Sequence, residues 1–273
     1  MPEIYGLDAY APREIALKVE TVGVAKARMP GLQMSLLGLL AGVFIGLGAL
    51  GFVIVKSDAT LGYASGQWLG GLVFSLGLLL VVVAGAELFT GNNLLVMAWA
   101  GGHIGTGELL RNWCVVGLSN CLGAAGLALL VFLSGHAQLN GGAIGQTVLR
   151  IALAKQALPW QEALFRGLLC NLLVCMAVWM ALGGRSVTDK AVAIVFPISA
   201  FVAAGFEHSI ANMYLMPLAW LLQQGGAVPA EPAVTLLGML GNWLPVIAGN
   251  LLGGSVLVAL TYYLIYRRGQ PPA

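Results

Sequence analysis

Two stretches of this sequence place polar residues inside otherwise apolar runs. Residues 84–93 read Ala-Gly-Ala-Glu-Leu-Phe-Thr-Gly-Asn-Asn, and residues 204–213 read Ala-Gly-Phe-Glu-His-Ser-Ile-Ala-Asn-Met. Both share Ala-Gly-x-Glu and an Asn five residues after the Glu, Asn92 and Asn212. His208 is the sharpest candidate for chemistry. An imidazole in such a place can donate a hydrogen bond to an anion or hold a proton near neutral pH. Its bland reading is a satisfied buried histidine on a backbone carbonyl. Thr90 occupies the matching stretch and offers a hydroxyl, with an N-cap for a helix resuming near Asn92 as its structural alternative. Glu87 and Glu207 would repel an anion. Their expected role is structural, behind the wall of any path, where a carboxylate satisfies the free N–H groups and the dipole of an interrupted helix.

Two further residues stand apart. Lys155 follows the apolar run 148–154 and precedes Pro159. A cation at the mouth of a path would raise the local anion concentration, whereas ordinary snorkelling is its alternative. Asn171, within Leu169-Cys170-Asn171, needs a partner and is expected to bond Lys155 or to face the path.

The elements that must position these residues are helices in a bilayer. The 273 residues are 59% hydrophobic and only 9% charged, against about 25% charged in a soluble domain. The apolar blocks approach the roughly 20 residues that a spanning helix needs. Thirty-eight glycines fit close helix packing. Six spans are expected, at about 35–55, 68 to past 84, 109–134, 160–182, 189 to past 204, and 242–266. Residues 1–30 read as an amphipathic cytoplasmic segment, 31–268 as the channel-forming domain, and 269–273 as a short cytoplasmic tail. Nine of the 13 Lys and Arg residues fall on one side of this arrangement, which puts both termini in the cytoplasm. Trp68, Trp99, Trp160 and Trp220 suit the interfacial belts. His103, His136 and Arg111 read as interfacial residues.

A second match accompanies the first. Asn112-Trp113, Asn120 and Leu122-Gly123 have the same internal spacing as Asn242-Trp243, Asn250 and Leu252-Gly253. Two three-helix halves follow, and an odd number of spans per half inverts the second. Polar breaks in corresponding helices of inverted repeats mark a transport path, and irregular backbone at membrane depth belongs where it is buried or lines a cavity. The breaks are expected at 88–92 and 208–212. A net charge of +2 gives no reason to expect a nucleic-acid partner. No nucleotide loop, dinucleotide fingerprint or Cys-x-x-Cys metal spacing is present, so neither an enzyme nor a cofactor or metal is expected. The four cysteines lie in apolar segments and read as packing residues.

Residues 205–213, together with Ala86-Glu87-Leu88-Phe89-Thr90-Gly91, the run Cys170 to Cys175 with Trp179, and Gly249-Asn250, resemble the signature of the formate–nitrite transporter family. The resemblance runs from about Ala25 to Tyr266. It implies an aquaporin-like fold with the second and fifth helices broken, a homopentamer in the inner membrane, and one pore per protomer. It implies that His208 and Thr90 face each other between two apolar constrictions. By position, Phe74, Leu78 and Phe201 would form the cytoplasmic one, and Leu88, Phe89 and Val174 the outer one. Lys155 and Asn171 match the family's vestibule pair. Residues 152–155 and 87–91 look similar to nitrite members. Phe206, the run Gly184 to Ser186, and Asp189-Lys190 look similar to formate members. The expected cargo is therefore formate, alone or with a proton, with nitrite and hydrosulfide as alternatives. A neutral-solute channel of the water or urea type is the reading from a different class, but the paired Asn-Pro-Ala motifs of an aquaporin are missing. A membrane scaffold would leave His208 and Lys155 unexplained.

Overall fold

In the computed structural model, residues 9–269 are described, and every regular element among them is helical. Residues 1–8 of the expected N-terminal segment, and all but Gly269 of the expected tail, lie outside the described residues. The chain opens with α1 (Pro12–Ala27), whose proline sits in the first turn, where its missing N–H costs nothing. Then come α2 (Gly31–Lys56) and α3 (Tyr63–Leu79). The helix α3 runs on as a π-helical stretch, Leu80–Gly85. Gly85, at φ 88°, ends it in a conformation that a side chain would strain. After the break the chain resumes as a short 3-10 helix, Gly91–Leu95, and α4 (Val96–Ala100). Next is α5 (Thr106–Leu133).

The second half follows the same plan. It comprises α6 (Ala143–Gln156), α7 (Trp160–Gly183) and α8 (Val187–Ala203). Gly205, at φ 72°, makes the turn, and α9 (Ser209–Gln224) resumes the helix. The last helix is α10 (Leu236–Leu251), continuing through π-helical Leu252–Leu260 into α11 (Thr261–Tyr266). Pro30 and Pro159 stand at the N-caps of α2 and α7, Ser186 caps α8 by accepting from the Asp189 N–H, and Thr235 caps α10.

Five helices are long and apolar enough to cross a bilayer: Gly31–Lys56, Tyr63–Gly85, Thr106–Leu133, Trp160–Gly183 and Leu236–Tyr266. The expected fifth span arrives in two pieces, the 17-residue α8 and then α9 beyond the break. The breaks also sit slightly earlier than expected. Irregular backbone begins at Ala86 and Ala204, and α9 is already helical from Ser209. The cause is the glycine after each Ala, which turns the chain before the Glu.

The close approaches are built by small residues at equivalent positions. A Cβ on Gly123 would run into the Leu39 carbonyl oxygen, and one on Gly253 into that of Leu168. Backbone therefore touches backbone between α2 and α5, and again between α7 and the π-helical stretch after α10. Outward-facing leucines such as Leu72, Leu118, Leu130 and Leu244 remain exposed, as a lipid-facing surface requires. Trp68, Trp99, Trp160 and Trp220 are all exposed too. Cys114, Cys121, Cys170 and Cys175 are free thiols.

Candidate functional site

The site is best assembled from its two backbone breaks. Each break leaves peptide groups without helical partners, and a buried one must be satisfied. One asparagine does this in each half. Asn120 donates to the carbonyls of Gly38 (2.8 Å) and Glu87 (2.9 Å) and accepts from the Phe89 N–H (2.9 Å). Asn250 donates to Gly167 (2.8 Å) and Glu207 (3.0 Å) and accepts from the Ser209 N–H (3.0 Å). The Glu87 and Glu207 N–H groups bond the Leu37 and Arg166 carbonyls across to the neighbouring helix.

The two carboxylates head matching clusters at opposite ends. Glu87 pairs with Lys26 of α1 at 2.9 Å and accepts from Asn92 Nδ2 at 2.7 Å. Asn92 Nδ2 also donates to Asn112, whose own amide donates to the Lys26 carbonyl. Glu207 pairs with Lys155 of α6 at 2.8 Å and accepts from Asn212 Nδ2 at 2.6 Å. Asn212 donates on to Asn242, which donates to the Lys155 carbonyl. The halves differ in one respect. Lys26 divides its bonds between Glu87 and Asn92 Oδ1 (3.0 Å), whereas Lys155 holds both oxygens of Glu207.

Between the clusters, Thr90 and His208 meet, with Oγ1 and Nε2 3.1 Å apart and both residues buried. His208 is the N-cap of α9, where its Nδ1 accepts from the Ala211 N–H at 3.2 Å. A nitrogen that accepts an amide proton carries none of its own, so the ring proton belongs on Nε2. That proton points at Thr90, whose hydroxyl accepts it and keeps its own hydrogen free to donate. A proton added at Nδ1 would face an amide N–H, donor against donor. The arrangement therefore presents a neutral, donor-rich centre. The Phe201 ring stacks on the imidazole (6.0 Å between centroids), and Phe74 meets Phe201 edge-on at 5.6 Å.

Several sequence-based expectations change here. The Glu87 and Glu207 carboxylates do not cap helix N–H groups but bind lysine and asparagine side chains. Thr90 makes no side-chain cap bond, which leaves its hydroxyl to His208. Lys155 is not a free cation, because its ammonium is spent on Glu207. Asn171 does not reach Lys155; its amide donates to the carbonyls of Thr90 (3.2 Å) and Asn250 (2.7 Å) and to Asn93 Oδ1. Its distance from Lys155 follows from the Asn171 position in mid-α7, level with the centre.

The six apolar residues expected at constrictions are all buried, but they group differently: Leu78 lies with Leu88, while Phe74 meets Phe201. Leu88 and Leu78 line a cavity of about 320 Å³ together with Lys26, Val178 and Leu182, on the α1 side. Phe201 lies at the other end of its helix, where Ala203 accepts from Gln67 and Glu207 meets Lys155. The direction of each helix decides this: α3 runs toward the α1 end and α8 away from it. Phe89 packs near Gly117, and Val174 lies one turn from Val178 in α7. Lys26 is the residue that the sequence reading passed over. Its signal was present as Ala-Lys-x-x-x-Pro, which occurs at 25–30 and again at 154–159. Among the described residues, no group of three or more His, Cys, Asp or Glu side chains could hold a metal ion.

A profile of the family described as "Formate/nitrite transporter" matches residues 13–264. The chain is 39% identical to "Formate channel FocA" of Escherichia coli (strain K12), over 96% of each chain. It is 37% identical to "Formate channel FocA" of Haemophilus influenzae, covering 92% of this chain and 93% of that one. Among solved structures it resembles a "Pentameric formate channel with formate bound", with TM-score 0.81, 37% identity, and coverage of 86% of this chain and 97% of that one.

Proposed function

The chain belongs to the formate/nitrite transporter family, and on that premise we propose that it passes formate across the inner membrane through one pore per protomer of a homopentamer. The observation that carries this reading is the His208–Thr90 pair, two neutral donors buried between apolar residues and flanked by matching Lys–Glu clusters. An unpaired charge at that depth would lose its hydration. A donated hydrogen bond lowers the cost of holding an anion there, and uptake of a proton removes the charge altogether. The bond from Ala211 to His208 Nδ1 supports His208 as a fixed donor rather than the proton's source. The proton then comes from vestibule water.

In this reading Leu78 and Leu88 narrow the path on the α1 side, and Phe74 and Phe201 on the α6 side. Phe89, Val174 and Asn171 complete the wall. Both termini are cytoplasmic. Three cations, Lys18, Arg185 and Lys190, gather near the α1 end, where burial and then the charges of Lys190 and Arg185 lower the Lys18 pKa. Such crowding of positive charge suits the cytoplasmic side. Formate is preferred to nitrite because the two relatives compared above are both formate channels.

The test is flux in proteoliposomes, comparing formate, nitrite, hydrosulfide, lactate, water and urea with and without a pH gradient. Formate should move fastest of the solutes, and faster with an inward proton gradient. Water or urea flux without anion flux would refute the reading.

A further inference from the structure

Away from the path, two cations meet at the α6 end of the molecule. Lys56 closes α2, and Arg150 of α6 reaches its carbonyl with Nη2 at 3.5 Å and the Thr147 hydroxyl at 3.4 Å. Arg150 and Lys155 are five residues apart, about 140° around a helix. Lys155 therefore faces the break and Arg150 faces away from it. Among the described residues neither Lys56 nor Arg150 has a carboxylate partner. The carboxylate of Asp58, two residues from Lys56, is turned into its own loop, where it accepts from the Thr60 N–H (2.8 Å) and hydroxyl (2.7 Å). Two neighbouring like charges without a counterion repel unless an anion joins them.

The surroundings indicate which anion. The Lys56 ammonium stands 5.8 Å from the centre of the Tyr63 ring. Tyr63 is 79% exposed and Trp68 is 56% exposed. Large aromatic residues at the end of a spanning helix mark the headgroup level of a bilayer. Below them Leu69, Leu72 and Leu76 are exposed along one face of α3, at the spacing that keeps side chains in a row. A cationic pair at headgroup height above an apolar lane fits one molecule, a phosphate-bearing lipid with its acyl chain in the lane. We infer that Lys56 and Arg150 clamp the phosphate of an anionic phospholipid at the rim of each protomer, in the leaflet on the α6 side.

The experiment uses the full-length protein in mixed phosphatidylglycerol and phosphatidylcholine nanodiscs, with retained lipid counted by native mass spectrometry. Wild type should retain phosphatidylglycerol preferentially. The double variant Lys56→Gln/Arg150→Gln should lose about thirtyfold of that preference, the expected effect of two interfacial cations. Arg268→Gln, a charge loss elsewhere, should leave it unchanged. Equal retention by wild type and double variant, or an equal loss in Arg268→Gln, would overturn the inference. So would release of the lipid by inorganic phosphate, which would make this a site for free anions. Formate flux of the double variant in phosphatidylcholine vesicles should match wild type, so loss of transport and loss of lipid preference are separate outcomes.

Discussion

At the level of single residues, transport depends on which charges are already spent. Lys155 holds both oxygens of Glu207 and is largely buried, as is its partner. A vestibule cation acting at a distance would be screened over about 10 Å at 0.1 M salt. A buried pair is not screened in this way. Lys155→Ala should therefore slow formate uptake by a factor that stays constant from low to high ionic strength. A defect that vanished in high salt would restore the free-cation role. Removing one partner of a buried pair typically costs about 3–5 kcal/mol, so Glu207→Gln should lower the melting temperature of the purified protein markedly. Much of the site was legible from residue types. His208, Thr90 and the two Glu–Asn pairs stood out because polar groups in an apolar run must have a reason. Their partners were less so. Nothing in local sequence says that Asn171 turns to Thr90 and Asn250 rather than to Lys155, because that depends on how α7 is rotated. Lys26 was missed because it lies in a segment whose charges looked like those of a surface helix.

At the level of elements, glycine and helix direction decide the architecture. Five of the six expected spans were readable from apolar runs. The paired Asn-Trp motifs marked Asn112 and Asn242, which take equivalent places in the two polar clusters. The π-helical stretches 80–85 and 252–260 were not readable, since they arise from packing and leave no periodic signature over so few residues. The apolar residues were recognisable, but their grouping was not, because it follows from the direction each helix runs. Phe201 stacks on His208 and meets Phe74. Phe201→Ala should open the α6-side narrowing and admit chloride, with a loss of about 3–5 kcal/mol in stability from the cavity left behind. Liposome chloride flux checks this, and unchanged exclusion would reduce Phe201 to a packing residue. Gly253→Ala should be harsher for folding than for selectivity, because its methyl would meet the Leu168 backbone. Such a variant is expected to give little folded protein by size-exclusion chromatography.

At the level of the whole molecule, the two halves carry the same polar cluster on opposite ends, Lys26–Glu87–Asn92–Asn112 and Lys155–Glu207–Asn212–Asn242. The proposed path runs between them and passes the only point where Thr90 and His208 touch. Mass measurement in detergent should give a pentamer, and C-terminal tags should be reached only from the cytoplasmic side. In the proposed mechanism this centre supplies neutral hydrogen-bond donors while the proton comes from elsewhere. His208→Asn isolates it. Asparagine retains an acceptor for the Ala211 N–H, as a good N-cap residue, and a donor toward Thr90, but it cannot titrate. The decisive measurement is simultaneous formate and proton uptake into proteoliposomes by wild type and His208→Asn. The variant should still take up formate and protons together, in the wild-type ratio. Formate entering the variant without protons, or coupled uptake lost in a correctly folded variant, would contradict it.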